Sequence, residues 1–137
     1  MRVIFFAAML AFGGVANASE HTSHEQIETV VQKYLDGTQF GKPELVDEAF
    51  LPSLEVQWLD EDGSLRRRPG PEYIERINPG VETPRYGRIV SIDVTDTAAM
   101  VKVEIEWNDR IYTDYMLLLK VEGNWQISNK IATWRDR

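Results

Sequence analysis

Asp114 is the side chain in this sequence best placed for chemistry. It heads the run DYMLLLKVEGNWQISNK, residues 114–130, which reads as two strands about a tight turn. On the apolar face of that hairpin, among Val and Ile, a carboxylate is costly unless it is paired or wet. Such a group could abstract or donate a proton near neutral pH, and Tyr34 would complete a minimal acid/base pair. These two are the candidate catalytic residues of an isomerase- or dehydratase-type enzyme. The same chemistry serves binding. Asp114 and Asn129 would orient a small, partly apolar ligand, and Tyr34, Trp58 and Tyr73 would pack on it. A third reading is structural: Asp114 bonds a helix end or Tyr34, and the aromatics are core that fills the space itself.

The other candidates carry less. His21 and His24 lie near Glu20 and Glu25. No third ligand accompanies them, a loose N-terminal segment explains them, and no metal is expected. Arg66-Arg67-Arg68 reads as a solvated loop, with contact to an anionic ligand at a cavity mouth as the alternative. The sequence has no Gly-rich phosphate loop, no G-x-S-x-G, no H-E-x-x-H and no Cys. No cofactor is therefore expected.

Strand register is what brings Asp114 inward. The turn Glu122-Gly123 fits a two-residue hairpin loop, which opposes Leu118 with Ile127, Met116 with Asn129 and Asp114 with Ile131. Asn108-Asp109 fits a second loop, which opposes Val101 with Met116, Val103 with Asp114 and Ile105 with Tyr112. Opposed residues share a face. The core face then collects Val90, Ile92, Val101, Val103, Ile105 and Ile131, with Asp114 near its centre and Asn129 on its diagonal. A slip by one residue would expose Val101, Val103 and Ile105, so the hydrophobic pattern fixes the register. The other face takes Lys102, Tyr115 and Lys130, with Leu117 and Leu119 among them. That patch could serve as a homodimer surface.

These strands need helices to cover them. In HEQIETVVQKYLDG, the residues Ile27, Val30, Val31, Tyr34 and Leu35 recur at helical spacing, with Gly37 as a stop. Pro43 to Phe50 reads as a second helix, with Pro in its first turn. Leu54, Val56 and Trp58 alternate with polar residues as in a strand. LDEDGSLRRRPG is a loop or a strand tip turning at Asp62-Gly63. PEYIERI is a third helix from Pro71, and Asn78-Pro79-Gly80 breaks it. Residues 88–94, 99–107, 110–121 and 124–134 read as antiparallel strands. Helices first and a long meander after give an α+β fold, with three helices from the first half of the chain on one face of a curved sheet.

The segments IETVVQKYLDG, EAFLPSLEVQW, YIERI, RIVSIDVTDTAAMVKVEI and YTDYMLLLKVEGNWQISNKI resemble the lumazine-binding family of the nuclear transport factor two-like, or SnoaL-like, superfamily. The resemblance covers roughly residues 24–134, and the final hairpin carries it most specifically. It implies a cone: a strongly curved antiparallel sheet, helices on its concave face and a pocket at its mouth. It implies a pterin-like ligand through the family name, and a dimer through the outer sheet face, as in many relatives. Function varies widely over such a fold. Relatives often carry His after the Phe in the segment matching Ala49-Phe50-Leu51-Pro52. Leu51 stands there in this sequence, which removes one general acid or base that the resemblance would supply.

Residues 1–18, MRVIFFAAMLAFGGVANA, have the charged start, the short apolar run and the small-residue end of a cleavable signal peptide. Export to the periplasm or beyond is the expectation. A loose segment would follow at 19–23, and one domain would fill 24–137. With no Cys, that domain has no disulfide and must be held by packing. The net charge of −7 argues against nucleic acid and anionic membrane surfaces as partners.

Overall fold

The computed structural model describes residues 14–137. Most of the export signal read in residues 1–18 thus lies outside the described residues. Three helices and six strands follow in the order α1 (Gly14–Gln39), α2 (Pro43–Ala49), β1 (Glu55–Leu59), β2 (Leu65–Pro69), α3 (Gly70–Glu75), β3 (Arg85–Thr95), β4 (Ala98–Trp107), β5 (Arg110–Val121) and β6 (Asn124–Asp136). The fold is the expected α+β cone, with the helices packed on one face of a curved sheet.

The stripe on α1 faces inward as its spacing requires: Ile27, Val31, Tyr34 and Leu35 are buried. The helix also runs through 19–23, where the sequence suggests a loose segment. It continues past Gly37, which is not its stop. Gly37 is instead where α2 crosses: a Cβ there would stand 2.5 Å from Val46 Cγ2 and 2.9 Å from the Lys42 carbonyl oxygen. The chain turns only at Gly41, with a left-handed φ of 62°. Gly37→Ala should therefore reverse the usual helix preference. An exposed helical site would gain about 1 kcal/mol from that change; here overpacking should destabilise by about 1–3 kcal/mol. A urea melt of the variant checks the sign.

The sheet order is β2-β1-β6-β5-β4-β3. All pairs are antiparallel except β1 with β6, which run parallel. That one pairing makes the sheet mixed, a departure from the all-antiparallel expectation. It arises because β1 comes from the helical half of the chain and docks beside the last strand. LRRRP resolves as strand β2 on the edge. The β4–β5 register is the one read from the Asn108-Asp109 turn, with Val103 opposite Asp114 and Ile105 opposite Tyr112.

Two bulges change what faces the core. In β3 the extra residue is Val90: Ile89 pairs with Val103 and Ser91 with Lys102. Ile89 thus packs inward, and Val90, expected in the core, is exposed. In β6 the pairing jumps from Leu118–Ile127 to Leu117–Asn129. Ser128 is the extra residue, and its Oγ donates to the Leu117 carbonyl at 3.1 Å. Beyond that bulge the parity of β6 inverts. Met116 faces Lys130 rather than Asn129, and Asp114 faces Ala132 rather than Ile131. Asn129 and Ile131 therefore turn outward, with Ile131 58% exposed, and Lys130 turns inward.

Candidate functional site

Inside the cone, the bulge places an ammonium opposite a carboxylate. Asp114 comes from the middle of β5 and Lys130 from β6, and they are 1% and 3% exposed. Lys130 Nζ lies 2.9 Å from Asp114 Oδ2. Tyr34 reaches them from the stripe of α1. Its hydroxyl donates to Asp114 Oδ2 at 2.9 Å and accepts from Lys130 Nζ at 2.8 Å. Arg85, the first residue of β3, donates from Nη2 to the same hydroxyl at 2.7 Å. Tyr73 of α3 closes the group, with its hydroxyl 3.2 Å from that of Tyr34.

A phenol has one proton to give and two lone pairs. Tyr34 gives its proton to Asp114 and fills its lone pairs with Lys130 and Arg85. Nothing remains for Tyr73 as a strong partner, so the Tyr73 hydroxyl is left to donate elsewhere. Both charged bonds to Asp114 fall on Oδ2. Oδ1 is the oxygen left for a further partner.

The two phenols differ. Burial, the largest influence on Tyr34, holds it well above its ordinary value. Arg85 opposes that shift, and Asp114 and Tyr73 add to it. Burial also pushes Tyr73 up, but Arg85 and Lys130 together outweigh it and leave this phenol below its ordinary value. Alkaline titration followed at 295 nm should show Tyr73 ionising below the ordinary phenol range and Tyr34 well above it. Tyr73→Phe should remove the early step and leave the late one.

Above this network is a cavity of about 270 Å³. Asp114, Lys130 and Ala132 lie at its floor, and Trp58, Tyr73, Trp107, Tyr112 and Trp134 form an aromatic wall. Three of these rings are in contact: Tyr112 sits between Trp107 and Trp134, with ring centroids 5.9 and 6.0 Å away. A second cavity of about 400 Å³ meets the first at Arg68, Tyr73, Arg85 and Trp107. Such a space, apolar walls with a few convergent polar groups, suits a small molecule.

Of the residues singled out in the sequence, Trp58, Tyr73 and Asp114 line the first cavity. Tyr34 lies beneath it, joined through its hydroxyl. Asn129 does not belong to it; the bulge at Ser128 carries it to the outer face. Arg66 and Arg67 point to solvent, while Arg68 is half-buried over the Trp58 ring at 4.8 Å. Trp107 and Tyr112 lie on the core face that the Asn108-Asp109 register predicts, though not singled out there; the residues missed are Lys130, Arg85 and Trp134. A signal for Trp134 was present, because Ala132 and Trp134 alternate in the parity opposite to Trp125 and Ile127. His21 pairs with Glu25 at 3.3 Å, and among the described residues no three potential metal ligands cluster. Among the same residues no helix is long and apolar enough to cross a membrane.

Comparison with known proteins agrees with this geometry. A family model described as "Putative lumazine-binding" matches residues 22–133. An NTF2-like protein of unknown function from Shewanella baltica superposes with a TM-score of 0.75 at 24% identity, covering 85% of this chain and 97% of that one. An NTF2-like protein of unknown function from Methylobacillus flagellatus gives 0.74 at 26%, covering 83% and 93%. A curated protein described as "Aldolase FrzH", from Cladobotryum sp, is 45% identical over 42 residues. That match spans 29% of this chain and about a third (34%) of that protein's length.

Proposed function

This chain belongs to the putative lumazine-binding family and has the nuclear transport factor two-like fold, and from that premise we propose that it is an exported protein that binds a small, partly apolar molecule inside its cone. One observation carries the reading: an aromatic-walled cavity whose floor is a charged pair. A core built only for stability gains little from a buried ion pair, since an apolar pair of the same volume serves as well. Export rests on the leader-like residues 1–18. Asp114 Oδ1 and the Tyr73 hydroxyl are the groups that would orient the ligand. Asp114→Asn, which keeps the shape and removes the charge, should weaken retention of the native ligand about tenfold or more, as expected for losing a charge-assisted hydrogen bond. Ligand release followed by native mass spectrometry measures it; unchanged retention would mean that Asp114 does not hold the ligand.

A second reading, proton transfer to the bound molecule, is favoured by the orientation of Asp114. One oxygen is held by Tyr34 and Lys130 while its carboxyl lines the cavity, as a positioned base requires. Turnover that disappears in Asp114→Asn while binding persists would select this reading.

Self-association belongs to the same proposal. The outer sheet face exposes Met100, Tyr115, Leu117, Leu119 and Ile131 together, an apolar patch of the kind that marks an interface. The bulge adds Ile131 to it and withdraws Lys130. Leu117→Arg should convert a dimer to a monomer in light scattering. A wild-type chain that is monomeric at high concentration would contradict this.

A further inference from the structure

The cavities are basic in a chain whose net charge is −7. Arg68, Arg85, Arg110 and Lys130 line the first against Asp114 alone. Arg68, Arg76 and Arg85 line the second, where no carboxylate stands. Several of these cations are answered within the protein. Lys130 has Asp114 at 2.9 Å, Arg110 has Glu61 at 2.7 Å, and Arg76 has Glu72 at 3.5 Å. Arg68 and Arg85 are different, because among the described residues neither forms an ion pair. Arg85 spends its terminal nitrogens on the two phenols, and its Nε is buried with no partner. In the buried cluster, Arg85 and Lys130 face only Asp114, so one positive charge is in excess. A cation withdrawn from water without a counter-charge is expensive. The lowered Tyr73 phenol responds to the same excess.

Each unanswered guanidinium also lies beside an indole. Arg68 sits over Trp58 at 4.8 Å, and Arg85 lies 5.9 Å from the Trp107 ring centroid. A molecule reaching both would meet flat π-faces and, next to them, guanidinium charge that no carboxylate answers. Guanidinium groups favour carboxylates and other oxyanions there.

We propose that the ligand is a planar aromatic anion, its ring against the Trp58 and Trp107 wall and its carboxylate or phenolate at Arg68 and Arg85. This rests on the reading of the cone as a small-molecule site and adds the charge and shape of what it takes. The cavity near 270 Å³ has room for about two fused rings, at the small end of the roughly 300–1,000 Å³ range of ligand pockets.

The test is calorimetric titration of the wild-type protein with 2-naphthoate and with 2-naphthamide, which have the same shape but differ in charge. The anion should bind at least about tenfold more tightly. Arg68→Gln, at the rim where folding is least at risk, should erase most of that advantage while leaving naphthamide binding in place. Naphthamide binding as tightly as naphthoate would overturn the anion proposal and leave the small-molecule site standing. An advantage that survives Arg68→Gln would overturn the placement at Arg68. Failure of both probes would overturn this proposal, and a native ligand retained in the same preparation would show that the small-molecule reading survives it.

Discussion

Lys130→Met should be among the most damaging single substitutions in the domain, costing about 3–5 kcal/mol. The reason is what remains. Lys130 and Asp114 are 3% and 1% exposed and 2.9 Å apart. Removing the ammonium strands a carboxylate among Val103, Met116 and the aromatic wall, with only the Tyr34 hydroxyl as donor. The double substitution Asp114→Leu with Lys130→Met should recover part of the loss, because an apolar pair replaces the charged one and no carboxylate is stranded, while Arg85 keeps its one excess charge as in the wild type. Urea denaturation of the two single variants and the double one provides the cycle. A Lys130→Met variant within about 1 kcal/mol of wild type, the range of exposed ion pairs, would show that the lysine does not face inward.

Tyr34→Phe should follow closely, at about 3 kcal/mol, because deleting one oxygen strips partners from the buried Lys130 and Asp114 and the half-buried Arg85 at once. The aromatic ring itself stays, still stacked on Phe50 at 5.8 Å, so the packing loss is small. Tyr73→Phe is the control. It removes an oxygen whose bonds to Tyr34 and Arg85 are long, 3.2 and 3.5 Å, and should cost under about 1 kcal/mol. Equal costs for the two would mean that Tyr34 does not hold the network together. The Tyr34 variant should also release the restraint on Arg85, and binding of any molecule that uses that guanidinium should change with it.

Much of the frame was legible because it rests on patterns with strong physical causes. The stripe on α1, the Glu122-Gly123 and Asn108-Asp109 turns and the alternation in β4 and β5 all follow from burying apolar side chains at a fixed period. Asp114 was legible for the same reason: no register that buries Val101 and Val103 can expose it. The floor of the site was not, because it depends on bulges. A bulge adds one residue, keeps most ladder bonds and leaves little trace in composition. At Ser128 it exchanges Asn129 and Ile131 for Lys130, so a lysine that reads as an ordinary outward residue becomes the partner of Asp114. Arg85 was lost differently. It follows Pro84, ahead of the alternating run that starts at residue 88, yet β3 pairs back to it opposite Trp107. Gly37 shows the same limit, since a helix stop and a close helix crossing place the same residue in the sequence.

The most direct test of a ligand-holding cone is native mass spectrometry on wild-type protein and on Ala132→Trp, each equilibrated with small-molecule extract from the host. Ala132 lines the cavity directly opposite Asp114, so an indole there fills the space over the Lys130–Asp114 pair. The wild type should carry one small molecule per chain that leaves on denaturation, and the filled variant should carry none. A wild type that emerges with its bare mass, or a filled variant that retains the molecule equally, would contradict the account.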